Sequence, residues 1–208
     1  MNAQRPTEGG MTVKNANRIR TAGMLGMFGA VLFLVNLFVE YSLGLQPPGS
    51  GALYYANQGM FFIAMLCYVI VIVSLMWAKA AGDGWFGKIS LGVFASGWTL
   101  LLAAEIVLLT LVDNPSMVLF PIGGLVSMFG GLLAGIAVAT AGRWRGWQRF
   151  APLIVGLYFL LVLVVPDFVA NREPNLLTES LWPVTWFLLG LALVTSGRAA
   201  RDQSVRTQ

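Results

Sequence analysis

The chain has 208 residues, 57% of them hydrophobic and 11% charged, with a formal net charge of +4 and a mean hydropathy of +0.75. Soluble domains carry about 25% charged and 45–50% apolar residues, so the composition excludes an ordinary water-soluble domain and points to an integral membrane protein. The basic excess falls at the ends of apolar segments, where it sets membrane orientation, and no nucleic-acid partner is expected.

Two absences narrow the chemistry. The chain has no His and one Cys. Without His there is no His-ligated haem, most zinc sites are ruled out, and the usual neutral-pH proton carrier is missing. Cys67 lies in an apolar run and reads as a small core residue. No Lys sits within an apolar span to form a buried Schiff base, and the phosphate-cradling G-x-x-x-x-G-K-[ST] loop does not occur. No cofactor, metal site or catalytic residue is assigned.

In chain order, the polar stretch to Arg20 reads as an N-terminal tail with Arg5, Lys14, Arg18 and Arg20. A first apolar span follows from Ala22 to Leu45. It is too long for a signal peptide, and no small-x-small cleavage site follows it directly. Gln46-Pro47-Pro48-Gly49-Ser50-Gly51 is a turn, and a second span runs from Leu53 to Ala78. After the loop Lys79–Gly84 comes a third span, Ile89 to Val112, broken by Asp113-Asn114-Pro115-Ser116. The fourth span, Phe120 to Ala139, is followed by Gly142-Arg143-Trp144-Arg145-Gly146-Trp147; the fifth runs from Phe150 to Ala170 and the sixth from Leu181 to Ser196. The predicted fold is all-α: a polytopic bundle of six transmembrane helices, with tails at 1–20 and 198–208 and one membrane domain at 21–197. The expected partner of that domain is the lipid bilayer.

Lys and Arg number four, two, three and three in the N-terminal tail, second loop, fourth loop and C-terminal tail, and only Arg172 lies on the opposite side. The positive-inside rule therefore predicts that both termini are cytoplasmic. Trp77, Trp85, Trp144 and Trp147 would form the inner aromatic belt; Tyr41, Tyr54, Tyr55 and Trp182 the outer one. The acids are skewed the other way. Glu40, Glu105, Asp113, Asp167, Glu173 and Glu179 all fall in the outer half or beyond it, against Glu8, Asp83 and Asp202 inside. Acids contribute little to topology, so orientation does not explain this skew.

In the fourth span, Gly123, Ser127, Gly131 and Gly135 recur every fourth position, and Gly124, Gly130 and Ala134 widen the stripe. Interior Gly costs a helix about 1 kcal/mol in water, but in lipid it admits a second backbone at close range. The stripe predicts that the other helices pack around this one, with the first helix as neighbour through Gly26 and Ala30. Gly84-Trp85 and Glu105 recur as Gly146-Trp147 and Asp167, which suggests an internal repeat.

Three groups carry candidate chemistry. Asn36 and Glu40 continue the face of Ala22, Gly26, Gly29 and Ala30, and Asn57 and Gln58 enter the second span at similar depth. Glu105 lies eight residues before Asp113, hence about 12 Å below the end of its span. A charge there costs a few kcal/mol, and such residues are functional candidates by default. Trp98 shares its face; Gly92, Ser96, Thr99 and Ala103 occupy the other, and sequence alone leaves open which face turns inward. Asp167, after Pro166, reads first as helix-end chemistry and second as a ligand-binding residue, as do Thr178 and Glu179.

The Pro121-Ile122-Gly123-Gly124 entry, the glycine-rich fourth span and the basic loop Gly142–Arg149 with its two tryptophans resemble a broad group of uncharacterised bacterial six-span integral membrane proteins. The resemblance implies a bacterial inner membrane and no particular activity. The functional expectation is an outward-facing acidic and polar pocket of Asn36, Glu40, Glu105 and Asp167 that binds or transports a cation, an amine or a proton. The alternative is a non-enzymatic scaffold or accessory subunit, in a homo-oligomer or larger complex, packing through the fourth helix. A membrane enzyme ranks third, because no nucleophile–base pair or metal constellation is present.

Overall fold

The computed structural model describes residues 13–45, 49–110, 116–170 and 175–206. Their elements are α1 (Val13–Leu43), α2 (Ala52–Trp77), α3 (Trp85–Thr110), α4 (Ser116–Ala141), a short 3-10 turn (Gly146–Phe150), α5 (Ala151–Tyr158), a π-helical turn (Phe159–Val164), α6 (Val165–Ala170) and α7 (Leu176–Arg206). The 3-10 turn, α5, the π turn and α6 make up the fifth span. Six segments are long and apolar enough to cross a bilayer, so the all-α six-helix bundle stands. Ile122, Leu125, Phe129, Leu133 and Ile136 of α4, and Phe28, Val31, Val35 and Phe38 of α1, are exposed. Outward apolar stripes of that extent suit lipid and would be a liability in water.

The helices close into a ring. α1 packs against α2 and α7, α3 against α2 and α4, and α5 against α4 and α7. Neighbours run antiparallel: Leu101, Gly97 and Phe94 of α3 meet Gly123, Ser127 and Gly130 of α4 in turn. The glycine-rich helix is thus one member of the ring, between α3 and α5, and not a central post. Gly123, Ser127 and Gly130 face α3, Gly131 touches Phe94 and Gly156, and Gly135 faces Leu153 of α5. The expected neighbour, α1, instead sets Gly26 against Val71 of α2 and Gly190 of α7. A small-residue stripe licenses close approach but does not name who approaches, and α1 and α4 each found a different partner.

The interior is filled by aromatic rings. Tyr68 of α2 stacks on Trp186 of α7 at 4.1 Å, Trp98 of α3 stands edge-on to both at about 5 Å, and Phe94 stacks on Trp186 at 5.8 Å. Tyr68, Trp98, Phe94 and Trp186 are all buried. Such a cluster gains dispersion and quadrupole energy of about 0.5–1.5 kcal/mol per pair beyond burial.

Both terminal helices outrun their predicted apolar limits. α1 starts at Val13, ahead of Ala22, and α7 continues to Arg206, past Ser196; each has 31 residues. At 1.5 Å per residue each spans about 47 Å, well over the ~30 Å hydrocarbon core. The polar turns remain helical because they pair: Ala16 and Ile19 are buried, and Gly197 lies against the Ala16 carbonyl and the Arg20 backbone. Of the predicted inner belt, Trp77, Trp85 and Trp147 are exposed, whereas Trp144 is buried. The suggested repeat is not mirrored locally: Trp85 opens α3, but Trp147 lies in the 3-10 turn after a left-handed Gly146.

Loop ends follow ordinary capping chemistry. α2 closes with Ala80 N–H donating to Leu75 O and Lys79 N–H to Met76 O, a Schellman pattern in which Lys79 takes the left-handed position at φ 48°. Lys79 Nζ then reaches Asp83 at 2.8 Å, and Arg143 reaches the same carboxylate at 2.8 Å. The Lys79 hydrogen bond, helped by the charges of Arg143 and Lys88, holds the Asp83 carboxyl below its ordinary range.

The α3–α4 contact is directly testable. A methyl group on Gly97 would collide with the Ser127 backbone, whereas one on Gly92 would meet nothing within 4 Å. Gly97→Ala is expected to cost on the order of 1–3 kcal/mol through overpacking, while Gly92→Ala gains up to about 1 kcal/mol of helix propensity. Thermal unfolding in detergent compares them; equal melting of the two variants would refute the contact.

Candidate functional site

The predicted inner face of α1 is confirmed as a face: Ala22, Gly26, Gly29, Ala30 and Asn36 are all buried. Asn36, 1% exposed, donates from Nδ2 to the backbone carbonyl of Asn57 at 3.0 Å, joining α1 to α2. The Asn57 side chain is equally enclosed, and neither its amide nitrogen nor its oxygen has a protein partner. Gln58 beside it is buried as well.

α3 turns its Trp98–Glu105 face inward. Trp98 and Glu105 are buried, while Ser96, Thr99 and Ala103 are exposed, which resolves the choice the sequence left open. The physical reason is ring packing: Trp98 completes the aromatic centre, and seven residues on, two helical turns, Glu105 must share its side. Glu105 has 0% exposure, and neither carboxylate oxygen has a hydrogen-bond partner. A buried polar group in that state carries a desolvation cost of about 1–3 kcal/mol, more if charged.

Two further acids complete the layer. Glu40, near the end of α1, and Glu179, in the first turn of α7, are both half-buried. The Tyr41 hydroxyl hydrogen-bonds Glu179. Glu179 is placed by the start of α7: Asn175 Oδ1 accepts from the Thr178 N–H at 3.1 Å, and Thr178 Oγ1 accepts from the Asn175 N–H at 2.9 Å. This is a reciprocal capping box, and it puts the acid in the first turn, where the helix dipole favours it. Further along, Pro183 has no N–H to offer the Glu179 carbonyl four residues back.

Beneath the acids lies an aromatic floor, one turn towards the chain termini. Phe33 is three residues from Asn36, Phe61 four from Asn57, and Trp182 three from Glu179. These rings touch: Phe33 meets Phe61 at 5.2 Å and Trp182 at 5.6 Å, and Phe159 of the π turn stacks on Trp182 at 4.9 Å. The π turn sits just before Pro166, whose ring cannot donate to the ladder, and π turns cluster at functional sites. Tyr158 Oη anchors it to α7 by donating to the Thr178 carbonyl at 2.8 Å. A cavity of about 10 Å³ lies among Phe94, Trp98, Ser127, Phe159, Trp182 and Trp186. That volume is about the least that admits one water molecule. Buried donors without a protein partner surround this region: Trp182 Nε1, Trp186 Nε1 and Tyr68 Oη.

The structure therefore brings Asn36, Glu40 and Glu105 into one half of the bundle. Asp167 belongs to α6, but its side chain lies outside the described residues. Asp113, Arg172 and Glu173 also lie outside them. The helix-packing residues Gly123, Ser127, Gly131 and Gly135 sit on α4's inner contacts, and Ser127 Oγ donates within its own helix to the Gly124 carbonyl at 2.9 Å. Among the described residues no three acid or Cys side chains converge closely enough to ligate a metal ion. Sequence reasoning missed the aromatic floor and the half-buried position of Glu179 above it. Following the face of the sixth span, Glu179, Trp182 and Trp186 at helical spacing, would have found both.

Compared with known proteins, the chain matches no family model, no curated protein and no solved structure.

A carboxyl held without partners for function should cost stability. Glu105→Leu, which removes the unsatisfied oxygens at similar volume, is expected to raise stability by about 1–3 kcal/mol. The readout is the melting temperature in detergent. A marked loss would instead identify Glu105 as a structural hydrogen-bonding group.

Proposed function

We propose that this multi-pass membrane protein binds a small cation, in the first place a proton, in the acidic layer around Glu105, and exchanges it with the outer side of a bacterial inner membrane. The observation that carries the reading is the Glu105 carboxylate, fully enclosed and without a partner on either oxygen. An intramembrane acid in that state is functional by default, and a carboxyl is chemically suited to take and return a proton. Glu40 and Glu179 add two half-buried carboxyl groups in the same half, and no Lys or Arg of the described spans lies there. The closely packed aromatic floor of Phe33, Phe61, Trp182 and Phe159 favours a small occupant such as a proton over an organic amine. The basic bias of the loops supports cytoplasmic termini and hence an outward acidic layer; the resemblance to bacterial six-span proteins supports the membrane named. The scaffold alternative loses its surface, because the fourth-helix stripe is taken up by α3 and α5 of the same chain.

Two measurements test this. In weakly buffered detergent solution with a pH dye in the medium, the parent is expected to take up about one more proton per chain over an acid titration than Glu105→Gln; equal uptake removes Glu105 from the mechanism. For sidedness, Ser50→Cys should react with an impermeant maleimide added outside cells and Gly84→Cys should not. Both positions are exposed, and Gly84 has nothing within 4 Å of a new Cβ. The opposite labelling pattern would place the acidic layer on the cytoplasmic side.

A further inference from the structure

We infer that the turn between α4 and α5 is a binding site for the phosphate of an anionic phospholipid headgroup, held by Arg145 and Arg149. The site stands at the end of the bundle opposite Glu105, and the inference does not depend on the proton site.

The turn is anchored from both sides. Ahead of it, Trp144 is buried. Within it, Gln148 uses both ends of its amide on α7: Nε2 donates to Thr195 Oγ1 at 2.8 Å, and Oε1 accepts from Ser196 Oγ at 3.2 Å. Gly146 takes the left-handed conformation at φ 61°, which a side chain would resist, and Pro152 fixes the entry into α5. An arginine follows each anchor directly. With Trp144 and Gln148 turned inward, Arg145, Trp147, Arg149 and Phe150 are left exposed around a single 3-10 turn of five residues. At about 2 Å per residue that turn is only ~10 Å long. The Arg149 guanidinium lies over the Phe150 ring, 4.5 Å from its centroid, a cation–π contact that steadies it.

No described acid competes for these two cations. Glu40, Glu105 and Glu179 belong to the other half of the bundle, and Asp83 is claimed by Lys79 and Arg143 at 2.8 Å each. The Asp202 side chain lies outside the described residues. Among the described residues, then, Arg145 and Arg149 form no ion pair. A guanidinium offers two parallel N–H donors to a phosphate, a geometry a lysine lacks, so an unpaired couple on a fixed turn is suited to that anion.

Depth decides which phosphate. The turn opens the fifth apolar segment, Gly146–Val164, so it stands at the edge of the hydrocarbon. The Asp83–Arg143 bridge joins the α4–α5 turn to the α2–α3 loop, where Trp77 and Trp85 are exposed as Trp147 is. Tryptophans collect at the headgroup level. Below the two arginines, Phe150, Ile154, Leu157 and Leu161 are exposed, and their spacing of four, three and four residues puts them in one outward row. A phospholipid whose phosphate sits on Arg145 and Arg149 can lay an acyl chain along that row. A soluble phosphate would leave the row unused.

The test is native mass spectrometry of the intact protein in detergent, titrated with phosphatidylglycerol or with phosphatidylcholine of the same acyl chains. The parent is expected to bind the anionic lipid about tenfold or more tightly than the zwitterionic one. Arg145→Gln and Arg149→Gln should each weaken that preference, and the two together should abolish it. Lys14→Gln with Arg18→Gln removes the same charge from exposed positions on α1 at the same end and should leave the preference intact. Both pairs are expected to melt with the parent, because all four side chains are exposed. The site is overturned if the turn pair keeps the parental preference, or if the α1 pair lowers it equally. Inorganic phosphate, added at the lipid's own concentration, should not displace the lipid; displacement would make this a site for free phosphate and overturn the lipid assignment.

Discussion

Everything in this fold depends on how closely two helix backbones can approach inside hydrocarbon. Lipid tails are as apolar as Leu, so no hydrophobic force drives helices together there, and contact energy comes from dispersion over matched surfaces. Glycine makes that match. A methyl on Gly23 would sit 2.6 Å from the Gly190 carbonyl oxygen, and one on Gly190 2.7 Å from that of Gly23. The same closeness recurs between Gly97 and Ser127 and between Gly131 and Gly156. These contacts set the circumference of the ring, and the circumference sets what fits inside it.

What fits is an aromatic plug, and the plug dictates the polar chemistry. Because Tyr68, Trp98, Trp182 and Trp186 fill the middle, the acids of the far half have a closed aromatic floor. The same packing forces Glu105 inward, since it shares a face with Trp98. Burial of an unsatisfied carboxyl is tolerated because the surrounding contacts are numerous and tight, and marginal costs of this kind concentrate where proteins do chemistry.

The number of spans and their loops were readable from composition and from Gly, Pro and charge punctuation alone. The lining of α1 by Gly26, Ala30 and Asn36 was readable too, because a helix repeats its face every three to four residues. Three things were not. The partner of the α4 stripe was hidden because Gly26 and Gly97 offer equally suitable surfaces, and only the whole ring decides between them. The π turn was hidden because Pro166 lies near a predicted helix end, where proline is ordinary. The burial of Glu179 was hidden because an acid in a first turn already has a sufficient explanation in the helix dipole, so its enclosure leaves no separate mark in the sequence. The helical tails were hidden by polarity: Ala16 and Ile19 form too short an apolar row to register beside Lys14, Arg18 and Arg20.

Those tails have a mechanical consequence. Where α1 and α7 continue past the hydrocarbon they stay paired through Ala16, Arg20 and Gly197, forming a stiff two-helix post. The pair is unbroken from that post to Phe33 and Trp182, whose rings meet in the membrane interior. A helix resists twist and bending far better than a loop, so a torque applied at the post reaches the aromatic floor as rigid rotation. The post is a lever arm, and its short end rests one turn beneath Asn36 and Glu179.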